Sequence, residues 1–268
     1  MRRKPSAVGD QLSAEPQRRG EAGVQGGVRL SILRARLGDW FRFVGLSARL
    51  IGGRRFWIAP LLTLLWPAFQ AVRLLIGWQP SAFEPSSVQT VLVGFPMIVL
   101  AIGLGVRIIA DEMDRRTLEI AYTVPGGASR VWLGKLAAAV GMLVSAEVLL
   151  ALVTFAFFAE VTLGALYGAL QGAVFYLVLS MALAALTRSE ITGALATAVV
   201  LSLNGVFTGF GNQQVRFAPT FNPLSLRGLA PEVVVAHTVQ NRIGFILAIA
   251  AVVALAFSRA ERREKLLG

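Results

Sequence analysis

The chain has no cysteine, which excludes disulfides, thiolate metal sites and cysteine nucleophiles together. Its one histidine, His237, is too few for a two-histidine haem or a multi-histidine metal site. Charge is also scarce. Asp, Glu, Lys and Arg make up 15% of the 268 residues, where a soluble globular domain carries roughly a quarter. No Gly-x-x-x-x-Gly-Lys-Ser/Thr occurs anywhere, so there is no P-loop to cradle nucleotide phosphates. The long apolar runs contain no Asp, which removes the aspartate cluster of a metal-dependent lipid transferase. They also lack the Gly-x-Ser-Gly and in-span His of an intramembrane serine protease.

What is abundant is apolar. Hydrophobic residues are 55% of the chain and lie in long unalternating runs, the mark of an integral membrane protein rather than a soluble one. In lipid only helices or closed barrels satisfy the backbone, and runs of this kind are helical. The expected fold is therefore all-α and polytopic, with six transmembrane helices of about 20 apolar residues each. They are placed at Phe56–Gly77, Val88–Val106, Leu136–Phe158, Leu163–Leu186, Thr192–Phe210 and Thr238–Phe257. Trp57, Trp78 and Trp132 fall near proposed ends, where amphipathic rings prefer the membrane interface.

Around this six-span domain (53–258) the chain divides simply. Residues 1–27 are rich in Arg, Gly, Gln and Pro and have no apolar h-region, so a disordered tail is expected rather than a signal peptide. Residues 28–52 carry Leu30, Leu33, Leu37, Phe41 and Val44 at helical spacing, with Arg29, Arg34, Arg36, Arg42 and Arg49 mostly off that stripe. This pattern describes an amphipathic helix at the lipid headgroups, against the plainer reading of a surface helix packed on protein. A short basic tail, 259–268, ends the chain.

The net charge of +11 is placed unevenly. Of the 26 Lys and Arg, only Arg73, Arg216, Arg227 and Arg242 fall on one side of the proposed spans. The positive-inside rule then puts both termini in the cytoplasm of a multi-pass cell-membrane protein. Membrane lipid is the implied partner. Nucleic acid is not, because the basic residues flank apolar spans and no reading module accompanies them. The third outer loop, about 211–237, contains "FAPTFNPLSLRGLAPE". Its prolines favour turns, and the segment either re-enters the outer leaflet or remains an external loop.

"RIIADEMDRRTLEIAYTVPGGASRVWLGK", Arg107 to Lys135, interrupts the apolar runs. Asp111 with Arg115, and Glu112 with Arg116, are spaced i,i+4 with the acid first, the favourable order for helix ion pairs. Met113, Thr117, Ile120 and Val124 form a less polar stripe, Pro125-Gly126-Gly127 stops the helix, and Ser129 is positioned to cap the next one. A short amphipathic helix between spans two and three, suited to docking on a soluble partner, is the expectation.

This segment resembles the cytoplasmic signature of the ABC-2 type transporter permeases, the membrane subunits of ABC exporters. Thr117-Leu118-Glu119, Pro125, Ser129-Arg130 and Gly134-Lys135 match the family pattern. Arg116 stands where the family usually has Gly, and the Gly126-Gly127-Ala128 spacing before Ser129 also differs. The resemblance implies that Asp111 to Val124, with Asp111, Glu112, Arg115, Arg116, Thr117, Leu118, Glu119 and Pro125, forms a coupling helix driven by a separate nucleotide-binding ATPase subunit. ATP and Mg would be bound on that partner, with no cofactor on this chain, no metal site and no catalytic residues. A second permease copy or a paralogue would complete the transporter. The competing reading is a non-transporting membrane anchor or assembly factor that docks a cytoplasmic partner.

Polar residues within the spans are candidates for function because charge there is costly. Glu147, in span three, is either functional or a protonated acid hydrogen-bonding a neighbouring helix. Arg73, a turn from Gln70, either snorkels to the interface or lines a translocation path. Asn204 reads as helix-to-helix glue. Gly164, Gly168 and Gly172 repeat every fourth position, a strip for close helix approach either within the chain or at a dimer seam.

Overall fold

The computed structural model of the chain describes residues 38, 42–79, 82–114, 127–209, 216–226 and 228–261. Every regular element among them is helical. Six stretches are long and apolar enough to cross a membrane, so the chain reads as a multi-pass membrane protein. The chain groups into two compact units that meet between Gly45 and Leu46. In the first, only residues 38 and 42–45 are described, and they are helical. The second unit, Leu46–Gly268, holds all six spans and begins with helical residues 46–52.

Proline breaks the first two spans at specific places. The first consists of α1 (Ile58–Leu62) and α2 (Leu65–Leu75). Pro67 has no N–H to give the Thr63 carbonyl four residues back, and that carbonyl instead accepts from the Trp66 N–H at 3.2 Å. Gly77, at φ +74°, ends α2 in a Schellman turn, with the Trp78 N–H on the Arg73 carbonyl and the Gly77 N–H on that of Leu74. The second span opens with α3 (Pro85–Ser87) and a π-turn over Val88–Leu92, then continues as α4 (Gly94–Asp114). Here Pro96 deprives the Leu92 carbonyl of its helical donor, which locates the break. A Cβ at Gly94 would strike the Gln89 carbonyl, so the wide turn needs glycine there.

The remaining spans are α5 (Gly127–Phe157), α6 (Leu163–Thr187), α7 (Glu190–Gly209) and α8 (Pro231–Glu261). The centre of the bundle is α6, which packs most extensively on α4 and then on α7 and α8. Small residues allow this. A Cβ on Gly105 of α4 would collide with the Leu177 carbonyl and Ser180 Oγ of α6, and one on Gly193 of α7 would lie 2.5 Å from Ala184 Cα. Tyr176, Leu177, Met181, Ile108, Ile109 and Leu143 are fully buried around that axis. The outward faces of α7 and α8 are apolar, with Leu195, Val199, Leu203, Val239, Ile243 and Leu247 exposed.

Several sequence expectations need correction. The second span does not stop at Val106, because α4 continues through Asp114. Asp111 and Glu112 thus belong to its last turn and do not begin a separate surface helix. Residues 115–126 lie outside the described residues, and with them the rest of the expected coupling helix. Ser129 lies inside α5, which starts at Gly127, so it is not the cap. The sixth helix starts at Pro231, seven residues before Thr238, and places His237 in α8. Trp132 does not face outward from the bundle. It is fully buried and sits against Phe257 of α8, ring centroids 5.7 Å apart, whereas Trp57 and Trp78 are exposed.

Candidate functional site

A polar interior region lies at the end of the bundle opposite Arg107. Residues 216–226, without regular structure apart from one 3-10 turn (Pro223–Ser225), fold back onto the helices, with Ala218, Phe221 and Asn222 buried. Irregular backbone among apolar helices requires a partner for each carbonyl. Side-chain amides supply them. Gln89, in the π-turn, donates from Nε2 to the Phe221 carbonyl at 2.6 Å. Asn241 of α8 donates from Nδ2 to the carbonyls of Arg216 and Ala218 at 2.9 and 3.0 Å. Asn222 donates to the Ser86 carbonyl at 2.6 Å and accepts from the Leu224 N–H at 3.0 Å.

A second polar layer adjoins the first. Gln171 Nε2 donates to the Arg242 carbonyl at 2.8 Å, and Arg242 Nη1 donates back to Gln171 Oε1 at 2.9 Å. The Arg242 guanidinium also lies over the Tyr167 ring, 5.4 Å from its centroid. Gly168 sits beneath both layers. A Cβ there would fall 2.5 Å from the Gln89 amide and 2.7 Å from Arg242 Nη2. Gln89 Oε1, Asn241 Oδ1 and Arg216 Nε are buried without a hydrogen-bond partner among the described residues. Among the described residues this chemistry is side-chain amides on backbone carbonyls, and a guanidinium on one of those amides. It can hold or release a segment.

The residues singled out from sequence are scattered. Arg73 Nη1 donates to Gln70 Oε1 at 2.9 Å, holding that arginine to its own helix. Asn204 reaches Thr220 Oγ1 at 3.1 Å, so it ties α7 to the folded-back segment and not to another helix. Beside it lies a cavity of about 200 Å³ lined by Thr90, Thr208 and Thr220. The glycine strip divides. Gly168 and Gly172 are buried within the chain, a Cβ on the latter meeting the Pro219 carbonyl at 3.0 Å, while Gly164 faces open space. Glu147 is 7% exposed, and its Oε1 has no hydrogen-bond partner among the described residues. Arg115, Arg116, Thr117, Leu118, Glu119 and Pro125 lie outside the described residues, as does the Glu112 side chain.

Sequence reasoning missed Gln89, Gln171, Asn222 and Asn241. The available signal was an amide inside or beside an apolar run, which in lipid marks a cross-helix hydrogen bond. At the opposite end of the bundle, Arg107 gathers three elements. Its Nη1 donates to the Ile51 carbonyl at 3.2 Å and its Nε lies 3.9 Å from Glu190 Oε2 of α7. Lys135 of α5, itself buried, donates to the Ile108 carbonyl of α4 at 3.2 Å. No group of three metal-ligating side chains occurs among the described residues.

No family model matches the chain, and neither a curated protein nor a solved structure does.

Proposed function

We propose that this chain is the membrane permease subunit of an ATP-driven exporter of the ABC-2 type. A separate ATPase subunit would act on its cytoplasmic face, and the translocated substrate is left unassigned. The observation that carries the reading is the continuity of α4. This helix runs unbroken from the buried centre of the bundle to Asp111–Asp114, the start of the segment that resembles the ABC-2 signature. A force applied to that segment would pass along a single helix to α6, its main neighbour. Lys135 and Arg107 tie the same end of α4 to α5, α7 and residue 51, so a displacement there would be shared.

The test is to purify the tagged full chain from its native membrane in mild detergent and identify co-purifying proteins by mass spectrometry. A P-loop ATPase, with hydrolysis that changes when the chain is present, is the expected result. Reversing charge at Glu112 and Glu119 together should leave the spans folded and uncouple or detach that ATPase. A truncated or reversed charge at a desolvated interface costs about 2–5 kcal/mol, against tenths for a pair on a helix surface. A chain that holds a cytoplasmic partner with no nucleotide-dependent activity would instead be a membrane anchor.

A further inference from the structure

The first span and α4 enclose a groove of about 610 Å³. Ile58, Leu62 and Trp66 line one wall, and Phe95, Leu100 and Leu104 the other. Trp66 and Phe95, ring centroids 4.5 Å apart, close one end. The indole N–H of Trp66 already donates to the Val91 carbonyl at 2.8 Å, so its one polar atom is engaged. Arg55 and Arg107 stand at the other end.

The groove continues beyond Arg107. Gly52 and Arg107 also line a second cavity of about 360 Å³, whose other walls include Arg49, Asp111 and Glu190. An apolar slot therefore opens into a polar vestibule, the shape of an amphiphile. The charge balance of the vestibule decides the sign of the headgroup. Glu190 faces Arg107, and Asp111 is engaged in the fold as well. Arg49 and Arg55 are exposed and make no hydrogen bond or ion pair among the described residues. Across the two cavities three arginines, Arg49, Arg55 and Arg107, stand against two carboxylates, Asp111 and Glu190, so the lining is net positive.

From Phe95 to Arg107 the slot follows α4 for roughly 18 Å at 1.5 Å per residue. Its walls are apolar along that length and arginines stand at one end, the polarity of an acyl chain that ends in an anionic headgroup.

We propose that this pair of cavities binds one acidic phospholipid, its acyl chain in the groove and its phosphate among Arg49, Arg55 and Arg107. The site is independent of the exporter reading and would exist equally in a membrane anchor.

The experiment measures retention of radiolabelled phosphatidylglycerol by the purified full-length chain in detergent, with unlabelled competitors. Saturable retention is expected, displaced by phosphatidylglycerol at least ten-fold more effectively than by phosphatidylcholine, and untouched by inorganic phosphate. Gly103→Leu should block the tail. A Cβ at Gly103 meets no atom within 4 Å, so the side chain enters the groove without striking the fold, and retention should drop at least ten-fold. Should that variant lose its circular-dichroism spectrum, Val99→Trp fills the same groove from a position already 53% exposed. Arg49→Ala with Arg55→Ala should abolish the preference over phosphatidylcholine. Equal competition by phosphatidylcholine overturns the proposal, as does displacement by phosphate alone. So does a groove-filled variant that dissociates an oligomer while retaining the lipid, since a second copy would then occupy the groove.

Discussion

Gln171 and Arg242 hold each other twice across the contact between α6 and α8, side chain to backbone in one direction and side chain to side chain in the other. Removing the glutamine leaves a half-buried guanidinium and a backbone carbonyl without those partners. An orphaned buried group costs about 1–3 kcal/mol, with charged groups at the upper end. Gln171→Leu should therefore lower the thermal midpoint in detergent. Gln171→Leu combined with Arg242→Leu should cost clearly less than the two single losses summed, because the groups form one interaction. Additive losses in that double-mutant cycle would mean the pair is not coupled.

The glycine strip offers a contrast within one helix. Gly164→Ala adds a methyl into open space, whereas Gly168→Ala adds one against Gln89 and Arg242. Overpacking of this kind costs about 1–3 kcal/mol, so Gly168→Ala should destabilise while Gly164→Ala stays near the parent. Equal Tm values would remove Gly168 from the interior contact. Gly193→Ala should be the most damaging of the three, since the added atom meets Ala184 backbone, which cannot rotate away.

The folded-back segment should come loose when its amide clamps are removed. Asn241→Leu frees the carbonyls of Arg216 and Ala218. The chain has no cysteine, so single-cysteine labelling reports one site at a time. A cysteine at Ala218, 2% exposed, should resist a maleimide in the parent and react at least ten-fold faster with Asn241→Leu. One at Phe217, 63% exposed, should react similarly in both. Unchanged protection at Ala218 would show that other contacts hold the segment.

How much of this could be read in the sequence follows from the range of each interaction. Six helical spans were legible because each run satisfies the bilayer by itself, through local composition and length. Span ends were less so: α4 carries its acids as a continuation of the helix, and hydropathy alone cannot separate that from a new surface helix. The burial of Trp132 was hidden because it depends on Phe257, far along the chain, where local position suggested an interface. The folded-back segment was harder still. "FAPTFNPLSL" reads locally as a loop, and its burial rests on Gln89 and Ser86, 132 and 136 positions from the residues they hold. Asn204 was visible as a polar residue in a span, but its partner Thr220 lay in that same unread segment.

Glu147 provides the last prediction. Its carboxyl lies in the middle third of the third span, almost wholly buried, with Oε1 unpartnered among the described residues. An acid kept to fasten a neighbouring helix needs a partner there, because an isolated ionisable group at membrane depth costs a few kcal/mol. Glu147→Gln keeps the shape and removes the charge. If the residue is retained for transport and not for folding, the variant should match or exceed the thermal midpoint of the parent. On the exporter function proposed above, its effect should appear in coupling, as at least a ten-fold loss of the stimulation of the co-purifying ATPase. The opposite pattern, a lowered midpoint with stimulation intact, would make Glu147 a structural residue with a partner that this arrangement does not display.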